Sequence, residues 1–542
     1  ETMLSRVSVV SLSAALFLGV LFTVAGVLAL ILLPKYIDNQ LIKEDVLGED
    51  DVNGTLVPNP TTAKWLVPPY DMRLHIWMYS VENEKEYLQG GKVRLVQKGP
   101  YVFVERQNKT FHKFVENGTH VLYRNTRSYF FSQNLSCADC SLGDSVTIPN
   151  VVFQKLIDIA EKGPLFRFAI QSAITTIGRE SPFSTVSVGQ ALFEGFDEPL
   201  VNAVCNHWLI KPICKSLDIP DKIGFFTTQN QTNDGVYEVG TGAGNSENLG
   251  LVYTWNGKKS LPETWWTSPF ARMINGTDGQ MFPPLLRKEE PLVVFASQAC
   301  RSISMSYTGD VEFEGVPTWR FAVPPEANDP ARPENRIFCH VNTTPAFFND
   351  SKVQIPGCLP TAMLDLSSCQ PGNPRVYLSQ AHFLYSPQEV WASVSGLSEP
   401  STANDETFVL IEPTSGVPVA AKRVMQINIG MKKSDLSIVA SANPVIMPVL
   451  WLNETAVFDE GTRDQLLNHL LAAKHWATVG GIAATILGTL LVIAVLIFLS
   501  LERASQSRGD FHRLEGDGQP ESAPQDGFDN PNIIVDESTA TE

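Results

Sequence analysis

No aspartate, glutamate, lysine or arginine occurs in the 27 residues from Val7 to Leu33, nor in the 25 from Ala477 to Leu501. A surface helix needs a polar face, so these runs exclude one. Each also exceeds the roughly 20 residues that cross about 30 Å of hydrocarbon. The first run lacks the short apolar core and small-residue cleavage site of a signal peptide, and it ends in Leu-Leu-Pro-Lys at Leu32–Lys35. It reads as an uncleaved anchor, with Met3 as the start and Glu1 and Thr2 ahead of it.

Cysteines and N-x-S/T sequons are missing everywhere except between the two runs. All eight cysteines lie there, with nine sequons at Asn53, Asn108, Asn117, Asn134, Asn230, Asn275, Asn342, Asn349 and Asn453. Disulfides and N-glycans belong to the oxidising, lumenal or extracellular side of a membrane. Basic residues near the helix ends are balanced and do not orient the chain, so the sequons decide. The expected layout is a cytosolic N-terminus at 1–6, a transmembrane helix at 7–33 and a lumenal or extracellular ectodomain at 34–475. A second transmembrane helix at 476–501 and a disordered cytosolic tail at 502–542 complete it.

An excess of positive charge is absent too. With 41 Lys and Arg against 58 Asp and Glu the net charge is −17. The tail holds 3 Arg and 10 acidic residues, which leaves −10 on the ectodomain. Such a surface excludes nucleic acid as a partner and gives no general attraction to anionic lipid. There is no G-x-S-x-G and no H-E-x-x-H, and the nine histidines make no metal-ligand spacing, so no enzyme, cofactor or metal is expected. Cys137-Ala-Asp-Cys140 has redox spacing but no βαβ surroundings, and reads as a structural bridge. Gly240-Thr-Gly-Ala-Gly244 lacks the Gly-Lys-Ser/Thr of a phosphate loop. Arg508-Gly-Asp510 falls on the cytosolic side.

What is present has mostly strand texture. Leu74, Ile76 and Met78 alternate with His75, Trp77 and Tyr79, and Met425, Ile427 and Ile429 alternate with Gln426 and Asn428. One region differs: Val152, Leu156 and Ile159 are spaced for a helix, Gly163-Pro164 breaks it, and Phe166, Ile170, Ile174 and Ile177 continue as a second. The bottom-up reading is an antiparallel β core carrying a small helical cap, an α+β membrane glycoprotein.

Several phrases carry a more specific likeness: Lys98-Gly-Pro-Tyr-Val-Phe103, Thr254-Trp-Asn-Gly257, Met273-Ile-Asn-Gly-Thr-Asp-Gly-Gln-Met-Phe-Pro-Pro284, Ala299-Cys-Arg-Ser302, Ala381-His-Phe-Leu384 and Pro448-Val-Leu-Trp-Leu-Asn453. By these the chain resembles the class B scavenger receptors, whose members include a fatty-acid translocase, a high-density-lipoprotein receptor and a lysosomal integral membrane protein. The resemblance implies an antiparallel β-barrel core, a helical apex at about 150–200, and an apolar tunnel leading towards the membrane. It implies an apical ligand site, here Phe166, Arg167, Arg179 and Phe183, and disulfides Cys300–Cys369 and Cys339–Cys358. Cys205 and Cys214, nine residues apart, are expected to pair locally, leaving Cys137 with Cys140. The family's Trp-Gly-Tyr reads Glu194-Gly-Phe196 here, and its apical lysine falls near Gly178.

Three functions compete. The first is a receptor that binds lipoproteins or lipids and passes lipid through the tunnel. The second is an endosomal or lysosomal sorting receptor carrying a lumenal hydrolase. A ligand-gated channel is third, and the absence of ionisable residues in either span argues against it. Asp529, Ile533 and Ile534 fit a relaxed acidic-dileucine signal for a clathrin adaptor, which keeps plasma membrane and endolysosome both open as residences. Gly480, Ala484 and Gly488 recur every four residues, a spacing that predicts either weak self-association of the second span or its packing against the first.

Overall fold

The computed structural model describes residues 3–178, 181–206, 208, 210–217, 220 and 222–515. The chain divides into two compact units, one comprising Glu1–Tyr36 with Ala473–Glu542, the other Ile37–Ala472.

In the first unit two long helices run antiparallel. The helix Met3–Glu44 does not stop where its apolar run ends but passes through Pro34, and the helix Ala472–Glu515 continues past Leu501 into the tail. Both include windows apolar and long enough to cross a membrane. Their contact is made by paired glycines. A Cβ on Gly26 would lie 2.7 Å from the Gly481 carbonyl oxygen, and one on Gly488 would lie 2.6 Å from that of Gly19. Seven residues separate the glycines of each helix, so both pairs fall on one seam and let the backbones approach closely. Of the two expectations for the small-residue face, packing on the first helix is the one seen at Gly488. Gly488 is covered by the first helix of the same chain, whereas Gly480 has open space beside it.

The second unit is built on eleven strands that form one antiparallel path. They are β1 (Asp71–Val81), β2 (Leu95–Val115), β3 (His120–Phe131), β4 (Tyr237–Gly240), β5 (Val252–Trp255), β6 (Leu292–Ala296), β7 (Arg301–Phe313), β8 (Val316–Ala322), β9 (Phe408–Glu412), β10 (Val417–Met431) and β11 (Val445–Val457). The spatial order is β6-β7-β8-β9-β10-β11-β1-β2-β3-β4-β5, so every strand neighbours its sequence neighbour and β11 pairs with β1. Only the β5–β6 gap remains, and the Met273–Pro284 segment fills it. Thr277 bridges Leu251, just before β5, and Val294 in β6. Its N–H donates to the Val293 carbonyl at 2.9 Å, and Phe295 N–H donates to the Thr277 carbonyl at 2.8 Å. Val252 N–H donates to the Gly276 carbonyl at 2.9 Å. The sheet thereby becomes a nearly closed barrel, which hides two edges that would otherwise be open to pairing.

Gly276 is required at this seam. Its φ is +83°, and a Cβ there would sit 2.0 Å from the Val293 carbonyl oxygen. Side chains further along the segment fasten it to the opposite wall. The Tyr123 hydroxyl donates to Asp278 Oδ2 at 2.6 Å, and Lys109 Nζ donates to Gln280 Oε1 and to the Trp65 carbonyl, both at 2.5 Å. Lys109 also lies over the Trp65 ring, 4.6 Å from its centroid. Burial pushes its amine down to about 7, with Asp278 opposing.

The alternation in β1 points Leu74, Ile76 and Met78 into the core. In β10 the expectation reverses. Gln426 and Asn428 are fully buried beside Val376–Ser379, which pairs edge to edge with the far half of β10, and their amides bond Ser379 Oγ and the backbone at Tyr377 and His382. Met425 and Ile427 are only half-buried. A polar residue in a strand is solvated only if nothing covers that face, and here the Ala381–Phe383 turn packs on β10.

Two outcomes follow from these packings. Gly276→Ala should lower the midpoint of urea unfolding far more than Gly257→Ala, which shares a positive φ but has open space at its Cβ. About 1 kcal/mol is expected for the strain alone and roughly 2–4 kcal/mol with the clash. In the membrane unit, Gly488→Leu should reduce the yield of monodisperse protein while Gly480→Leu leaves it unchanged; equal effects would contradict the glycine seam.

Candidate functional site

The helical cap forms as its spacing predicts. Asn150 caps Val151–Ala160, its Oδ1 accepting from Phe153 N–H at 2.8 Å, and Val152, Leu156 and Ile159 face the core. Gly163 turns the chain and Pro164 opens Pro164–Thr176, whose Ala169, Ile170 and Ile174 are buried. Arg375 fixes the first helix from below, donating to Asp158 Oδ1 and to the Gln154 carbonyl, each at 2.6 Å.

The candidate apical residues are not presented alike. Phe183 is 5% exposed, lies in a strand and packs edge-on to Tyr87, so it belongs to the core rather than to a binding surface. Phe166 is half-buried against the same core. Arg167 is at the surface, paired with Asp435 at 3.1 Å. Arg179 lies outside the described residues, as do Asp529, Ile533 and Ile534 of the tail signal. The exposed apolar side chains are Leu165 at 72% and Phe168 at 75%. They stand three residues apart on one helix face, opposite Ile170 and Ile174. The same 3.6-residue period that placed the core face could have singled them out. Trp208, also exposed, lies later in the helical region.

The structure contains four disulfides, Cys137–Cys140, Cys205–Cys214, Cys300–Cys369 and Cys339–Cys358. Seven of the sequon asparagines are exposed. Asn230 and Asn453 are half-buried; the Oδ1 of Asn230 accepts from Tyr129 N–H at 2.9 Å, and that of Asn453 is buried.

Inside the barrel lies an arrangement that sequence reading missed. Along four strands the inward residues change from one apolar cluster to another, and charged groups stand at the change. On β2, Tyr101 and Phe103 belong to the cluster under the apex and Glu105 comes next. On β3, Arg127 stands between Tyr129 above and Tyr123 below. On β10 and β11, Arg423 and Glu454 separate that cluster from the one containing Val419, Ala420 and Phe458. Arg423 and Glu454 are directly opposite in register and joined by an ion pair. Arg423 Nη1 also donates to Gln298 Oε1 at 2.9 Å, and Gln107 Nε2 donates to Glu105 Oε1 at 2.9 Å.

These four side chains set one another's charge. Burial, then the Glu454 carboxylate, pushes Glu105 up to about 7 against the pull of Arg127 and Arg423. Burial acts to raise Glu454 as well, but Arg423 and Arg127 outweigh it and hold that carboxyl below its usual range. Burial opposes the charge on Arg127, while Tyr129, Glu105, Glu454 and Asp234 sustain it. The waist therefore keeps two guanidiniums, one firm carboxylate and one carboxyl that titrates near neutrality.

The sequence profile of the CD36 family matches residues 17–499. Lysosome membrane protein 2 of Rattus norvegicus is 31% identical over 461 residues, covering 82% of this chain and 88% of that protein. Scavenger receptor class B member 1 of Bos taurus is 27% identical over 487 residues, covering 89% and 88%. The same receptor of Mus musculus is 30% identical over 443 residues, covering 81% and 79%. Barrel, helical cap, terminal apolar helices and these matches agree: the chain belongs to the CD36 family.

Proposed function

We propose that this protein is a class B scavenger-type receptor with both termini in the cytosol, docking lipoproteins or lipids on its apex and passing lipid through the barrel to the bilayer. The observation that carries the reading is the pair Leu165 and Phe168, large apolar side chains left in water on a helix whose opposite face is packed. Burying each against a lipid surface is worth about 1.5–3 kcal/mol. The names of the relatives, scavenger receptor class B member 1 among them, support the class.

Passage through protein answers a steep barrier. At ~0.8 kcal/mol per methylene, an acyl chain of about sixteen carbons faces on the order of 13 kcal/mol of exposure to water. An apolar lumen would remove most of it. A second reading, an endosomal or lysosomal sorting receptor carrying a lumenal hydrolase, draws support from the relatives named lysosome membrane protein 2. In that reading the tail residues Asp529, Ile533 and Ile534 would engage a clathrin adaptor.

Replacing Leu165→Ser together with Phe168→Ser should lower binding of labelled lipoprotein to expressing cells about tenfold or more at equal surface level. Retained lipoprotein binding with loss of hydrolase pull-down would favour the sorting receptor. Retention of both would remove the apex from either account.

A further inference from the structure

Where the first apical helix, Val151–Ala160, rests on the chain around Arg375, a second group of polar side chains is shut away from water. Gln154, Arg375 and Tyr377 are 1%, 6% and 0% exposed. Arg375 uses Nη1 on Asp158 and Nη2 on Gln154, whose Oε1 accepts at 3.2 Å. That contact orients the amide, so its oxygen faces the guanidinium and Nε2 is left over. Among the described residues, Gln154 Nε2, Arg375 Nε and the Tyr377 hydroxyl are buried polar atoms without a hydrogen-bond partner. Each such group costs free energy until something meets it. The three are neighbours. Tyr377 leans back along the strand towards Arg375: a Cβ on Gly430 would lie 2.8 Å from the Tyr377 hydroxyl oxygen, and Gly430 N–H donates to the Arg375 carbonyl at 3.0 Å. Burial pushes the Tyr377 hydroxyl well above its usual range, with Asp365 and Asp158 adding to the rise and Arg375 opposing it.

All three unmet groups are donors: an amide N–H, a guanidinium N–H and a phenol O–H. A water among them would still have its own two hydrogens to place, whereas a halide only accepts. The charges nearby favour an anion too. Lys432 and Glu161 pair with each other, which leaves Arg375, Lys155 and Lys162 against Asp158 and Asp365. Burial lowers the Lys155 amine, Asp158 opposes, and Arg375 and Lys162 lower it further. We propose that a small inorganic anion, chloride, binds here between Gln154 Nε2, Arg375 Nε and the Tyr377 hydroxyl. It supplies the acceptor that the three donors lack, and its charge offsets the local excess of cations. The half-buried Lys155 and Asp158 border its way in from solvent. Bound there, the ion ties Val151–Ala160 to the strand Val376–Ser379 and firms the base of the cap, because the helix bearing Leu165 and Phe168 packs on Val151–Ala160. The site is independent of what the apex docks.

The test compares the full chain in sodium chloride, sodium bromide and sodium gluconate at equal ionic strength, gluconate being too large for the site. Hydrogen exchange of the Val151–Ala160 amides should be about tenfold slower in either halide than in gluconate, the effect of an ion present at about ten times its Kd. The amides of Leu74 and Leu450, away from the site, should exchange equally in all three salts. Tyr377→Phe removes one donor and almost no volume, and should raise the halide concentration for half-protection about fivefold or more. Gln154→Glu places a carboxylate beside Arg375, and should protect the helix in gluconate and abolish the response to halide. Crystals grown in bromide should show an anomalous peak within hydrogen-bond reach of all three donor atoms. Equal exchange of Val151–Ala160 in the three salts overturns the proposal, as trapped water would give that result. A halide response of the same midpoint in Tyr377→Phe, or one surviving in Gln154→Glu, overturns it as well.

Discussion

Three hydrogen bonds made by the backbone of Gly276 and Thr277 decide whether the ectodomain is a barrel or an open sheet. Eleven strands follow one another around the molecule with no crossover, and β5 and β6 would be bare edges if nothing lay between them. Bare edges invite pairing with other chains, and an open sheet would let water reach the inward face. Thr277 bonds to β6 and the Gly276 carbonyl accepts from Val252 of β5, an approach that glycine permits because no side chain could occupy its Cβ position. The enclosed interior, with its low effective dielectric, exists only because that seam is shut. Every perturbed carboxyl and amine in the barrel depends on this enclosure.

The interior so enclosed is not uniformly apolar. Apolar clusters lie above and below a level where Glu105, Arg127, Arg423 and Glu454 meet. A hydrocarbon chain gains from the clusters and loses at the charges, whereas a molecule with a chain and a polar end matches both. Apex and waist therefore impose different requirements. Leu165 and Phe168 offer exposed apolar surface at the apex, and the interior sets charged groups between apolar clusters.

Much of this was legible in the sequence where the signal is local. Charge-free runs announced the two long apolar helices. The 3.6-residue period of Val152, Leu156 and Ile159 gave the first apical helix, and Gly163-Pro164 its junction with the second. What failed depended on neighbours far away in sequence. Phe183 looked like part of a helical surface but lies in a strand whose face is covered by Tyr87. Gln426 and Asn428 looked solvated because a period of two identifies faces but not what covers them. The waist was invisible because its members, between Glu105 and Glu454, meet only through the register of five strands. Likewise the spacing of Gly480, Ala484 and Gly488 announces a close helix contact without naming the partner, which is the chain's own first helix.

Hydrogen exchange at the seam tests the central claim most directly. In the intact full-length protein the amides of Thr277 and Phe295, which join the inserted segment to β6, and of Val252, which joins it to β5, should exchange as slowly as those of Leu74 and Leu450 in the continuous wall. Exchange at Thr277 and Phe295 as fast as in the exposed turn at Gly257–Lys259 would mean that the barrel is open there, and the enclosed charged waist would lose its basis.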